Sequence, residues 1–146
     1  MGKDKEKRIR VVALGIIQEG DRLFLSRGKD PATQQVFYRA LGGGVKFGEP
    51  SEQALKREFQ EEIQADIINI KYLGTIENIF TFNQVTKHEI AQIFQCDFAD
   101  RKFYELDQVN FQEKNRQKVA LWLPKSLFIS NELRLVPANV LSLLPC

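Results

Sequence analysis

Runs of apolar residues separated by short polar or glycine-rich breaks fill the first third of the chain. The segment Arg8–Ile17 is rich in Val and Ile and predicts a buried strand. A polar break at 19–21 followed by apolar residues at 23–25 predicts a hairpin return. Residues 28–35 are polar and contain a Pro, which predicts a loop, and a short strand over 37–41 then leads into three glycines.

The pattern changes to helical spacing after the glycines. From Pro50 to Ile63, apolar residues recur at three- and four-residue intervals, which predicts an amphipathic helix. Pro50 suits a first helical turn, and either Ser51 or Glu49 can cap it.

The rest of the chain predicts mostly strands again, with short helices at its end. The predicted elements are, in order, a strand over 67–82, a turn at 83–84, a returning strand over 88–98, a polar irregular stretch over 99–117, a short strand over 119–123, and one or two short helices within 125–144. Strands on both sides of one strong helix indicate an α+β domain with a mixed sheet between helices.

Length and composition indicate one ordinary globular domain. The chain has 146 residues, of which 43% are hydrophobic and 27% are charged. No apolar run approaches the roughly 20 residues of a membrane-spanning helix, which excludes that class of protein. We expect residues 8–146 to form a single domain, preceded by a basic, flexible tail over residues 1–7.

The charge distribution and the cysteines indicate which binding partners and which cellular compartment to expect. The net charge is +2, but the first ten residues carry five basic and two acidic side chains, which leaves −1 for the remainder. That balance argues against a nucleic-acid-binding surface. The N-terminus lacks the apolar core of a signal peptide. Cys96 and Cys146 suit free thiols, so we expect a cytoplasmic protein with no membrane partner.

Three glutamates lie along one edge of the predicted helix. At about 100° per residue, Glu58, Glu61 and Glu62 share an arc of roughly 100°, with Glu62 at the border of the apolar stripe. Such acids repel one another unless a cation lies between them, and a hard divalent cation such as Mg²⁺ or Mn²⁺ prefers oxygen ligands. Arg57 can brace the Glu61 carboxylate. A solvated, Glu-rich helix face is the alternative interpretation.

A longer spacing pattern surrounds these glutamates. It consists of Gly43, five residues, Glu49, seven residues, Arg57-Glu58, an apolar residue, any residue, and Glu61-Glu62. This pattern resembles the Nudix box, which here covers residues 43–65. One position departs from the family, because Gln64 stands where the family has the glycine that ends the helix. We expect the helix to run through Gln64, since residues other than glycine disfavour the left-handed conformation.

The resemblance implies a fold and an activity. The fold is the Nudix fold, an α/β/α sandwich with a central mixed β-sheet. The activity is that of a diphosphohydrolase, MutT-like or ADP-ribose pyrophosphatase-like, that cleaves the pyrophosphate bond of a nucleoside diphosphate linked to another moiety X. Water and Mg²⁺ or Mn²⁺ take part in the cleavage.

The resemblance also implies roles for individual residues. Glu58, Glu61 and Glu62 would be metal ligands, together with a backbone carbonyl at Gly42 or Gly43. Arg57, Glu58 and Glu61 belong to the catalytic constellation, which Glu49 supports. The position of the general base differs among family members. Glu113, which precedes the predicted strand at 119–123, is our first candidate for the base; Glu105 is the reserve, and a glutamate of the box such as Glu58 is the alternative.

Candidates for substrate binding lie outside the box. Arg27 and Arg39 are placed to contact phosphates. Phe82 is one of several aromatic residues able to stack on a base, and His88 can donate a hydrogen bond. The other aromatic candidates are Phe37, Tyr38, Phe80 and Trp122.

Two other classes of function remain as alternatives. One is a catalytically silent Nudix-fold domain that binds a nucleotide or serves a regulatory role. The other is a nucleic-acid-binding protein that uses the basic N-terminal arm. The expected partner is a small nucleoside diphosphate derivative, and a homodimer remains open. The retained glutamates favour the enzyme.

Overall fold

The computed structural model of the protein describes residues 7–145. The predicted tail lies outside this range except for Lys7, which is exposed, and Cys146 also lies outside it. The strands are β1 (Ile9–Glu19), β2 (Arg22–Lys29), β3 (Val36–Arg39), β4 (Leu41–Gly44), β5 (Ile67–Phe82), β6 (Val85–Phe98), β7 (Gln108–Glu113), β8 (Arg116–Pro124) and β9 (Leu135–Val136). The helices are α1 (Ser51–Ile63), α2 (Lys102–Glu105), α3 (Ser126–Ile129) and a final 3₁₀ turn (Val140–Leu143).

The long strand β1 joins two groups of strands. Its first part pairs with β4 on one side and with β6 on the other, and β5 lies beyond β6. Its last residues pair with β2, which continues to β3 and β9 on one side and to β8 and β7 on the other. The β1–β6 and β3–β9 pairs are parallel and the other pairs are antiparallel. The predicted mixed sheet and the α+β class are confirmed.

Both faces of β1 are buried, which is why its sequence is almost continuously apolar. Val12, Leu14 and Ile16 belong to a core that includes α3 and the 3₁₀ turn. Ala13 and Ile17 project to the other face. That face packs against the apolar stripe of α1, whose buried members are Ala54, Leu55, Phe59 and Ile63. The predicted core stripe of the helix is confirmed.

Two segments for which the sequence predicted no helix or strand form regular structure. The glycines at 42–44 form strand β4 and pair with residues 12–14 of β1. The stretch predicted as irregular, 99–117, contains α2 and the hairpin β7–β8, and β8 begins at Arg116 rather than at residue 119. The hairpin turn uses positive φ at Lys114 and Asn115, without the glycine that usually marks such turns.

The predicted ends of helix α1 also need correction. Pro50 occupies the N-cap position and no side chain caps the helix, so neither Ser51 nor Glu49 has that role. The helix ends at Ile63, and Gln64 adopts the left-handed conformation with φ 52° and ψ 42°. The prediction that the helix runs through Gln64 is therefore wrong. Its backbone N–H donates to the carbonyl of Gln60 at 3.1 Å, as the family glycine would at a left-handed cap.

Candidate active site

A cleft opens where α1 and β4 meet the second group of strands. It has a cavity volume of about 80 Å³. Strand β2 and five other elements form its wall. The five others contribute Phe37 and Arg39 of β3, Gly42 of β4, Glu62 of α1, Glu113 of β7 and Lys118 of β8. Concave sites that combine apolar surface with a few charged groups are typical binding sites for small ligands.

Arg57 organises the acidic residues around the start of the helix. Its guanidinium donates to both carboxylate oxygens of Glu49, at 2.8 and 3.0 Å, and to the carbonyl of Gly44 at 2.9 Å. It also donates to Glu58 at 2.9 Å and to Glu61 at 3.3 Å. The Arg57 hydrogen bonds lower the pKa of Glu49 to about 2, and the carboxylates raise the pKa of Arg57. The network ties the glycine strand to the helix.

Glycines let strand β4 approach the helix closely. A Cβ atom at Gly43 would collide with the Glu58 carboxylate. Gly42 has φ 144°, and a side chain there would collide with the backbone carbonyl of Ala13. Strand β4 therefore needs glycine at these two positions for steric reasons.

Glu62 is a buried carboxyl group without full hydrogen bonding. The residue is 8% exposed, and among residues 7–145 its Oε1 has no hydrogen-bond partner. Burial raises its pKa to about 9, and the negative charges of Glu113 and Glu58 act in the same direction. The backbone N–H of Gly42 opposes that shift. An ionised Glu62 at this position needs a cation to compensate it.

The donor set suits a hard divalent cation. All the candidate side-chain ligands are carboxylates, and the cleft residue Glu62 has a buried oxygen without a hydrogen-bond partner in the described part of the chain. In the described part of the chain, no three His, Cys, Asp or Glu side chains already converge as a metal-binding group. Arg57 donates hydrogen bonds to both Glu58 and Glu61. A bound cation would compete with Arg57 for these two carboxylates.

The structure brings some of the predicted site residues together. Arg39, Gly42, Glu62 and Glu113 line one cleft, although they come from four different elements. Phe82 does not line the cleft but packs against the cleft residue Phe37 in a T-shaped pair, with 6.1 Å between ring centroids.

Other predicted residues lie elsewhere. Arg27 is exposed on β2 between the cleft residues Ser26 and Gly28, so strand alternation turns it to the opposite face. His88 pairs with Glu77 at 2.8 Å on the β5–β6 ribbon and does not line the cleft. Glu105, the reserve base, is exposed at the end of α2 and is also absent from the wall of the cleft.

The aromatic candidates divide in the same way. Trp122 is a core residue whose indole N–H donates to the carbonyl of Phe103 at 2.9 Å. Tyr38 is buried against Phe128. Two cleft residues, Phe111 and Lys118, were missed by the sequence analysis. Both lie in the β7–β8 hairpin, whose weak alternation was not recognised as strand.

Comparison with known proteins gives a family and a set of structural neighbours. A family model described as NUDIX domain matches residues 6–137. A protein of Pseudomonas syringae pv. tomato named NAD-capped RNA hydrolase NudC is 37% identical over 68 residues, which are 47% of this chain and 24% of that protein. The chain thus matches about a quarter of the length of such curated relatives.

The structural neighbours cover most of the chain. A MutT NUDIX hydrolase from Burkholderia pseudomallei superposes with a TM-score of 0.59 at 22% identity, over 81% of this chain and 84% of the other. A NUDIX hydrolase from Nitrosomonas europaea gives 0.63 at 16% identity, over 93% and 86%. At these identities the neighbours establish the fold. Within residues 7–145, no helix is long and apolar enough to cross a membrane.

Proposed function

The chain belongs to the NUDIX domain family, and on that premise we propose that it is a pyrophosphohydrolase. Its substrate is a nucleoside diphosphate linked to another moiety X, and water cleaves the pyrophosphate bond with the help of Mg²⁺ or Mn²⁺. The observation that carries the proposal is the buried carboxyl group of Glu62, a residue that lines the same cleft as Glu113 and Arg39. Its Oε1 has no hydrogen-bond partner among residues 7–145.

Carboxylates of helix α1 would hold the cation. The proposed ligands are Glu58, Glu61 and Glu62, with the backbone carbonyl of Gly42 as a further oxygen donor. A divalent cation at this place supplies charge neutralisation of the diphosphate and a lower pKa for bound water. Arg57 keeps Glu58 and Glu61 at the edge of the helix, through contacts of 2.9 and 3.3 Å.

Glu113 is the proposed general base. It reaches the cleft from β7, a different element from the helix that carries the proposed ligands. Its carboxylate can accept a proton from the attacking water without losing a place in the ligand set. Glu105 is not part of the proposal, because it lies away from the cleft.

The cleft wall suggests how the substrate is held. Arg39 supplies positive charge for a phosphate, and Phe37 supplies an aromatic surface supported from behind by Phe82. Arg27 and His88 take no part in the proposal, since neither lines the cleft. Relatives named as NAD-capped RNA hydrolases argue for placing NAD and NAD-capped RNA among the candidate substrates.

A substrate panel tests the proposal. Nucleoside triphosphates, ADP-ribose, NAD, dinucleoside polyphosphates and a short NAD-capped RNA are incubated with Mg²⁺ or with a chelator, and the products are separated by chromatography. We expect cleavage of at least one compound at a pyrophosphate bond, with complete loss in chelator. In ¹⁸O-labelled water, one product phosphate should carry the label. Tight nucleotide binding without hydrolysis across the whole panel would replace the enzyme by a silent binding domain.

Three further statements belong to the same proposal. Residues 8–146 act as one domain, and the protein works in the cytoplasm. A homodimer remains part of the hypothesis, and sedimentation of the purified chain tests it. A single species of monomer mass at micromolar concentration would exclude the dimer.

A further inference from the structure

A buried glutamate outside the Nudix box lies between two arginines. Glu89 of β6 is 6% exposed. Its Oε1 accepts a hydrogen bond from Arg39 at 2.9 Å, and its Oε2 lies 3.7 Å from the guanidinium of Arg10. Because two guanidinium groups share one carboxylate, the cluster keeps one positive charge uncompensated.

The two arginines occupy different places relative to strand β4. Arg39 lines the cleft that contains Glu62 and Glu113. Arg10 lies over Gly44, where a Cβ atom would stand 2.7 Å from its terminal nitrogen. Since successive residues of a strand project to opposite faces, Gly43 faces Glu58 of the acidic helix on one side and Gly44 faces Arg10 on the other.

The hydrogen-bonding capacity of the cluster is only partly used. Arg39 makes one side-chain hydrogen bond among residues 7–145, to Glu89, although a guanidinium carries five donors. Glu89 is fixed by burial and cannot follow Arg39 into solvent. A guanidinium that lines a cleft, is held at one nitrogen and keeps unused donors is preorganised for a second anion.

We propose that Glu89 positions Arg39, with Arg10 beside it, as an anion-binding arm that receives a phosphate group of the substrate. Arg39 is the contact residue and Glu89 is a positioning residue. The identity of the substrate rests on the proposed function, but the binding of a phosphate ester by this arm does not. Neither Glu89 nor Arg10 belongs to the family pattern that identified the box.

A binding experiment in chelator isolates the arm from hydrolysis. The affinities of the wild-type protein for adenosine and AMP, and for guanosine and GMP, are measured by calorimetry, and the nucleotide-to-nucleoside ratio reports the contribution of the phosphate. We expect Arg39→Gln to reduce that ratio about tenfold or more, since a lost charge-assisted hydrogen bond is worth at least that factor. Arg39→Lys, which keeps the charge without the fork, should lose less.

The matched control is Arg134→Gln. Arg134 is exposed and bonds the side chain of Gln35 at 2.9 Å, away from the cleft. It should leave the nucleotide-to-nucleoside ratio unchanged. An equal ratio in Arg39→Gln and wild type would overturn the proposal. If Arg39→Gln weakened the binding of nucleoside and nucleotide equally, Arg39 would have only a structural role, and the proposal would also be overturned.

Kinetics separate the positioning role of Glu89 from catalysis. On the best substrate of the panel, Glu89→Gln should raise KM severalfold while kcat changes less than twofold, and Arg10→Gln should show a smaller effect of the same kind. A fall in kcat with KM unchanged would contradict the positioning role. Inorganic phosphate serves as the second probe, because binding as tight as that of AMP would assign the arm to free phosphate and overturn the assignment to substrate.

The two proposals can fail separately. If wild-type protein hydrolyses nothing, the proposed function fails, whereas the calorimetric ratio still decides the anion-binding arm. If the protein hydrolyses a substrate and Arg39→Gln binds AMP as well as wild type does, the arm alone fails.

Discussion

At the scale of single residues, the environment of Glu62 predicts a severe loss of activity on substitution. Glu62→Gln keeps the size of the side chain and removes a charged oxygen ligand. We expect kcat to fall by at least about 10²-fold, the scale of losing one electrostatic stabiliser, and the Mg²⁺ requirement to rise. The fold should persist, because a neutral side chain is easily accommodated in the buried site.

The control for Glu62→Gln is a substitution on an exposed part of the same helix. Glu52→Gln alters the first turn, where Glu52 lies 3.9 Å from Lys56 at the surface. It should leave steady-state kinetics and the Mg²⁺ titration unchanged. Near-normal turnover of Glu62→Gln at ordinary Mg²⁺ concentrations would contradict the placement of the active site at the box.

Glu113 predicts a different pattern of loss. Glu113→Gln should lower kcat by roughly 10²–10⁴-fold, because the attacking water loses its proton acceptor. The affinity for Mn²⁺ should not weaken. The negative charge of Glu113 is one of the causes that raise the pKa of Glu62, so its removal favours the ionised form of Glu62 that binds metal. Activity should recover partly at high pH, where hydroxide needs no base.

The matched comparison for Glu113 is the reserve candidate, Glu105. Glu105→Gln should behave like wild type, as Glu105 lies outside the cleft. If both variants have wild-type activity, the base lies within the box and Glu58 becomes the candidate.

Residue spacing predicted the acidic constellation but not its neighbours. The carboxylates at 58, 61 and 62 are local in sequence, so helical geometry alone places them on one edge. Arg39 was predicted from its position just before the glycines and Glu113 from its position before the strand at 119–123, and the structure brings both to the cleft. The pairing of Arg39 with Glu89 joins residues 50 positions apart, and no local pattern reports such a contact.

At the scale of elements, the end of helix α1 yields a stability prediction. Gln64 holds a left-handed conformation, which costs a non-glycine residue about 1–2 kcal/mol. Gln64→Gly should therefore stabilise the domain by about 1 kcal/mol, after the larger unfolded-state entropy of glycine and two weak side-chain bonds of 3.3 and 3.4 Å are allowed for. A thermal melt measures the change. The control, Gln53→Gly on the exposed face, should destabilise by about 1 kcal/mol, and a lower melting temperature for Gln64→Gly would contradict the cap.

The junction between β4 and α1 predicts a loss of stability in acid. Hydrogen bonds from Arg57 and from the backbone of Lys46 lower the pKa of Glu49 from 4.5 to about 2. A folded-state pKa below the unfolded value means that this stabilisation is present above about pH 4.5 and is lost as the pH falls through 2. Glu49→Gln should thus be less stable than wild type at pH 7, and the difference should vanish near pH 2.

Urea unfolding at a series of pH values measures the effect of Glu49. The surface variant Glu52→Gln should differ little from wild type at every pH, since exposed pairs contribute little. A deficit in Glu49→Gln that stays constant from pH 7 to pH 2 would contradict the linkage.

Elements with strong periodicity were predictable, and those defined by tertiary contact were not. Helix α1 and the ribbon β5–β6 follow their sequence patterns closely. Strand β7 has four polar residues and only two apolar ones, Val109 and Phe111, which face the core. Strand β4 is mostly glycine and owes its extended form to pairing with β1. Neither strand carries a local signal strong enough to outweigh its loop-like composition.

At the scale of the whole molecule, the cleft exists because β1 joins the two groups of strands. Residues from α1 and from five strands, β2, β3, β4, β7 and β8, form its wall. They lie between positions 26 and 118 of the sequence. Sequence reasoning could name many of these residues but could not assemble the wall, because their proximity follows from pairing registers such as Ser26 opposite Arg39.

The buried carboxylate of Asp30 links the two groups of strands at the tip of the β5–β6 ribbon. Its Oδ1 accepts hydrogen bonds from the backbone N–H of Ala32 at 2.9 Å and of Asn83 at 3.1 Å, and beside this link Phe82 packs against Phe37 in the cleft wall. Asp30→Ala removes both bonds and should lower the free energy of unfolding by about 1–3 kcal/mol in urea, whereas Asp30→Asn keeps an acceptor and should cost less. Hydrogen exchange should show faster opening at Asn83, and KM should rise more than kcat falls as the wall loosens. Unchanged protection of Asn83 in Asp30→Ala would show that the ribbon tip is held by other contacts.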